Sequence, residues 1–131
     1  MRLVLDTNIV VSAALSPFGP PARVLDSVLA GAHILLTDDR ILHEYREVLS
    51  RPKFNLSRNL VDDLMEFFLH GSERIFAPAL SVEMPDESDR MFLEVAMDGR
   101  ADFLITGNAK HFPRSSVRGP RIVSPADFLK V

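Results

Sequence analysis

The sequence predicts an α/β domain of three layers, with a parallel sheet sandwiched between helices. Short, almost wholly apolar runs, namely Leu3-Val4-Leu5, Ile34-Leu35-Leu36, Phe103-Leu104-Ile105 and Ile122-Val123, alternate with longer segments of helical periodicity. A strand that is apolar on both faces must be buried on both, and a parallel sheet covered by helices provides that burial. The chain has 131 residues, 47% of them hydrophobic, and shows no repeat, low-complexity tract or linker, so residues 1–131 read as one domain.

Each element has its own justification. Leu3–Leu5 makes the first strand and runs into Asp6-Thr7-Asn8, where Thr7 can cap the helix that follows. Pro20-Pro21 opens a helix to about Ala30, with Gly31 placed to end it. After the second strand, Asp38 or Asp39 caps a helix to about Ser50, which Pro52 stops. Ser57 opens another, with Leu60, Val61, Leu64, Phe67 and Phe68 as its apolar face and Gly71 at its end. A weaker strand is expected over Arg74-Ile75-Phe76-Ala77, a helix from about Glu87 to Asp98 ending at Gly99, and a short last helix from Pro125 to Leu129.

Composition removes several classes of function. The chain contains no cysteine, which excludes disulfides, thiolate zinc sites and cysteine nucleophiles. No apolar run approaches the roughly 18 residues of a membrane-spanning helix, and Asp6 and Asn8 interrupt any signal-peptide core. A soluble, cytoplasmic protein without membrane contact is expected. The net charge of −3 is unevenly spread, at −2 over residues 1–39, +3 over 40–58, −8 over 59–109 and +4 over 110–131. That distribution suits an acidic site flanked by basic surface, and equally suits ordinary solvated helix faces.

In open parallel sheets, ligands bind at the carboxyl ends of the strands. Asp6 stands just past the first strand, as a site carboxylate or as the cap of the next helix. Glu44 lies at the rim of the stripe formed by Ile41, Leu42, Tyr45, Val48 and Leu49, where it could serve the site or pair with Arg40. Asp89, spaced three, four and seven residues before Phe92, Leu93 and Ala96, falls in the middle of a buried stripe. An inward carboxylate costs several kcal/mol unless paired, metal-bound or protonated. Asp86, after Pro85, reads as a cap or turn residue. Thr106-Gly107-Asn108 brings a hydroxyl and an amide to the same edge, whereas Asp102 precedes that strand by about 13 Å and belongs to the opposite end.

Taken together, Leu5-Asp6-Thr7-Asn8, Glu44, the stretch from Asp86 to Ala96 and the stretch from Asp102 to Asn108 resemble the PIN-domain nucleases, and within them the VapC-type toxins of bacterial and archaeal toxin–antitoxin pairs. The resemblance implies a five-stranded parallel sheet of order 3-2-1-4-5 flanked by helices. It also implies an acidic cluster that holds Mg²⁺ or Mn²⁺ for endoribonuclease activity. Carried over by position, Asp6, Glu44 and Asp89 are the metal-binding and catalytic acids. A fourth position, usually aspartate, is held here by Asn108, whose neutral oxygen favours a single resting metal. The implied partners are an RNA substrate, a cognate antitoxin and a second copy of the chain, with the helices around Leu25 and Leu64 as possible apolar surfaces for the homodimer.

An RNA substrate also needs cations along its backbone. Thr106, Arg46, Lys110 and Arg114 are the expected substrate contacts, within basic clusters of Arg40, Arg46, Arg51, Lys53 and Arg58 and of Lys110, His111, Arg114, Arg118 and Arg121. Rival readings are weaker. A haloacid-dehalogenase-like phosphotransferase wants a second aspartate where Asn8 stands, and a dinucleotide site lacks its glycine-rich turn. The main alternative is a PIN-fold module that binds RNA or protein without cleaving, its catalysis impaired by Asn108.

Overall fold

A computed structural model describes residues 1–113 and 119–131. Five strands, β1 (Arg2–Leu5), β2 (Ile34–Thr37), β3 (Glu73–Arg74), β4 (Phe103–Ile105) and β5 (Arg121–Val123), form one sheet of order β3-β2-β1-β4-β5. Every adjacent pair is parallel, with Leu3 opposite Leu35 on one side and Phe103 on the other. The helices are α1 (Thr7–Leu15), α2 (Pro20–Leu29), α3 (Asp39–Leu49), α4 (Arg58–Gly71), α5 (Arg90–Asp98) and α6 (Pro125–Phe128). The predicted three-layer α/β architecture and strand order are both present.

The local signals act largely as read. Pro20 and Pro21 occupy the first turn of α2, and Gly31 takes the left-handed conformation after its end, at φ +82°. Of the two aspartates before α3, Asp38 is the cap, accepting from the Ile41 amide at 2.9 Å. Ser57 caps α4 by accepting from the Leu60 amide at 3.1 Å. Gly99 is required by close approach, since a Cβ there would stand 2.8 Å from both Leu36 Cδ1 and the Val95 carbonyl oxygen. Asp102 accepts from the Arg2 amide at 2.8 Å at the amino edge of the sheet, away from the candidate site.

Three expectations change. The edge strand is Glu73–Arg74 instead of residues 74–77: the Ile75 amide still reaches the Thr37 carbonyl at 2.8 Å, but β2 then turns off into the Asp38 cap and leaves nothing further to pair. The helix expected from Glu87 is a 3₁₀ turn over Glu87–Asp89 followed by α5, because Asp86 accepts from the Ser88 amide at 2.9 Å and its hydroxyl at 2.8 Å. Asp89 is therefore the half-buried residue before α5, not the centre of a buried stripe. Leu25 and Leu64 themselves are 5% and 8% exposed and packed into this chain's own core, whereas Leu29 on α2 and Leu60 and Leu69 on α4 are exposed.

Candidate functional site

Asp6 leaves β1 with extended backbone and precedes α1, and it is 6% exposed. Its amide donates to the Ile105 carbonyl at 3.0 Å, which binds it to the end of β4. Its side chain makes no capping bond to α1; instead it accepts from the Thr106 hydroxyl at 2.7 Å. Burial pushes its pKa upward, and the Thr106 bond is the largest opposing influence. Thr106 is fully buried, and its oxygen also accepts from the Asn108 amide at 3.1 Å. With its one hydrogen given to Asp6, the hydroxyl cannot reach substrate. As placed, Thr106 is tied to the Asp6 carboxylate and to the Asn108 amide.

Glu44 sits half-buried on α3, at the rim where the periodicity put it. Arg40 does not pair with it; that guanidinium holds Asp38 and Glu94, each at 2.7 Å. The partner of Glu44 is the Thr7 hydroxyl, which donates to Oε2. Thr7 thus occupies the first turn of α1 but does not cap it. One residue further along α3, Tyr45 is fully buried and donates its hydroxyl to the Leu5 carbonyl at 2.5 Å, pinning α3 to the end of β1. Asp6 and Glu44 are in this way tied to neighbouring residues of one strand–helix junction.

Asp89 completes the set. Its pKa is pushed up to about 6, first by burial, then by the negative charges of Asp6 and Asp86, with Glu44 adding to the rise and His111 opposing it. Burial, together with the charges of Asp6, Glu44 and Asp38, likewise holds the Tyr45 hydroxyl well above its ordinary range. The acids repel across the carboxyl edge of the sheet, yet among the described residues no three Asp, Glu, His or Cys side chains are close enough together to hold an ion. Nor, among the described residues, does any ion pair reach Asp6, Glu44 or Asp89, although the nearby Asp38, Glu87 and Glu94 each hold an arginine. Carboxylate oxygens left without cationic partners among the described residues are the donor type that a hard divalent ion takes, although the side chains as placed do not converge on one point.

The other expected contacts scatter. Asn108 and Lys110 are exposed beside the site, Lys110 on a 3₁₀ turn over Ala109–His111. Arg46, two residues from Glu44 and hence about 200° around the helix, turns toward α4 and lies 3.5 Å from Asp62. Arg114 lies outside the described residues, as does Arg118. The groove that does border Glu44 encloses about 480 Å³ and is lined by Arg40, His43, Arg51 and Met91. Sequence reasoning missed Thr7 as the partner of Glu44, and missed Glu94, which is 2% exposed. Adjacency to Asp6 was the available signal for Thr7; nothing in the local pattern marked Glu94.

Residues 2–110 match the family model described as the PIN domain. The chain belongs to this family, a family of nucleases. It is 28% identical over 111 residues to the uncharacterized protein MJ1680 of Methanocaldococcus jannaschii, covering 82% of this chain and 71% of that one. It is also similar in fold to a chain in the crystal structure of VapBC2 from Rickettsia felis bound to a DNA fragment from their promoter. That likeness has a TM-score of 0.61 and 19% identity over 95% of this chain and 98% of that chain.

Proposed function

We propose that the chain is a metal-dependent endoribonuclease, the toxin of a toxin–antitoxin pair, which hydrolyses RNA phosphodiester bonds. The observation that carries this reading is Asp89, a carboxyl at the carboxyl edge of the sheet whose ionisation is made costlier by burial and by the charges of Asp6 and Glu44, while among the described residues no ion pair reaches any of the three acids. A structural role would have paired them, as Asp38 and Glu94 are paired through Arg40.

Asp6 and Asp89 would hold Mg²⁺ or Mn²⁺, with Glu44 joining them or orienting the attacking water. When bound, the ion supplies Lewis acidity for activating water and stabilises the charge that develops on the phosphate, so no nucleophilic side chain is needed. Thr106 fixes the Asp6 carboxylate, and Thr7 fixes Glu44. The exposed Asn108 amide and the Lys110 ammonium stand where a phosphate would approach. An antitoxin partner and a homodimer belong to the same reading and rest on the family resemblance; so does a cytoplasmic site of action, supported by the lack of any membrane-spanning helix among the described residues.

Asn108 favours one alternative, a PIN-fold module that binds RNA or a protein without cleaving. Incubation of the protein with single-stranded RNA in Mn²⁺ decides between them. Cleavage that stops on adding chelator, and that Asp6→Asn abolishes while RNA binding remains, supports the nuclease. Binding without metal-dependent cleavage, or full activity in Asp6→Asn, overturns it.

A further inference from the structure

Beyond the carboxyl end of β3 lies a second pocket, of about 410 Å³, whose walls include Arg40, Arg74 and Phe76 together with Asp38 and Asp39, which pair with the two arginines. Ile75 and Ala77 pack against the core, so the intervening Phe76 projects outward and is 87% exposed. An isolated apolar side chain in water is unremarkable, but this ring lines the same pocket as two guanidinium groups, beyond the carboxyl end of β3. Arg40 keeps about half of its side chain in solvent, at 48% exposure. Arg74 holds Asp39 at 2.8 Å and keeps about a third of its side chain in solvent, at 32% exposure. The pocket shares Asp39 and Arg40 with the groove that reaches Glu44, so the two are neighbours along one face of α3.

We propose that this pocket is a nucleobase subsite, in which an unpaired base of the substrate stacks on Phe76 while the adjoining backbone phosphate lies against Arg74 and Arg40. This inference rests on the nuclease reading and adds to it where the strand runs. Every base offers a π-face to an aromatic ring, and an arginine fork matches phosphate oxygens, so the combination takes single-stranded nucleic acid with little regard for sequence. A base inside a duplex has no free face to offer, which makes the subsite selective for unpaired RNA.

The test uses the full chain and a fluorescent single-stranded RNA 12-mer of mixed sequence in Mn²⁺. Phe76→Ala should weaken binding about 5- to 100-fold, in the range that loss of one stacked base gives, with the cleavage rate at saturating RNA unchanged. Phe76→Trp should retain affinity. Because Phe76 is exposed, neither change threatens folding. RNA carrying 5-iodouridine should crosslink on irradiation to the peptide of residues 75–90, in which Phe76 is the sole aromatic residue. If Phe76→Ala binds as tightly as the parent and no crosslink falls on that peptide, the subsite is refuted and the face is left to a protein partner. If the crosslink persists while the parent protein shows no Mn²⁺-dependent cleavage, the subsite stands and the nuclease reading fails.

Discussion

Asp89 carries the clearest electrostatic signature in the molecule. An aspartate ordinarily titrates near 3.9, so a folded-state value of about 6 means that the native protein binds more protons than the unfolded chain between those two limits. The stability contributed by the protonated group is complete below pH ~4 and is lost as pH rises through ~6. The melting temperature of protein freed of divalent ions should therefore fall across that window. Mg²⁺ or Mn²⁺ should remove the fall, and Asp89→Asn should flatten it; thermal melts at a series of pH values, with and without chelator, provide the check. The periodicity identified Asp89 as a carboxylate in need of an explanation but misjudged its depth. Spacing along an ideal helix cannot reveal that Asp86 and Ser88 tighten the first turn into a 3₁₀ segment.

At the scale of elements, α3 and α5 are braced by Arg40, which spans from the buried Asp38 cap to the buried Glu94. The second oxygen of Glu94 accepts from the Leu80 amide at 2.7 Å, and Arg90 donates to the Leu80 and Val82 carbonyls at 2.7 and 2.6 Å. The irregular stretch that delivers Asp86 and Asp89 is thus held by side chains rather than by a ladder. Removing Arg40 would leave the Glu94 carboxylate buried with one amide for company. Arg40→Ala should cost about 3 kcal/mol, read as a shift in the urea midpoint. Most element boundaries were legible because they depend on short-range signals such as Pro20-Pro21, Ser57 and Gly31. This brace was not legible, because it joins residues 54 positions apart and Glu94 carries no periodic signature of burial.

For the whole molecule, the order 3-2-1-4-5 places β1 at the centre, so the carboxylate at its end faces contributions from both wings of the sheet. The architecture could be read because wholly apolar strands admit few arrangements. The candidate site could be read only in part: strand ends and helix periodicity singled out Asp6 and Glu44, while the course of the groove beside Glu44, lined by both acids and arginines, depended on which side of α3 each side chain leaves. Asn108 supplies no charge where a fourth acid would stand, so calorimetric titration with Mn²⁺ in the absence of RNA should give a single tight site. Two equally tight sites would contradict the reading.

The hydrogen bond between Thr106 and Asp6 closes across 100 positions of chain. The aim of the Asp6 side chain is therefore a property of the assembled sheet, acquired only once β4 has docked beside β1.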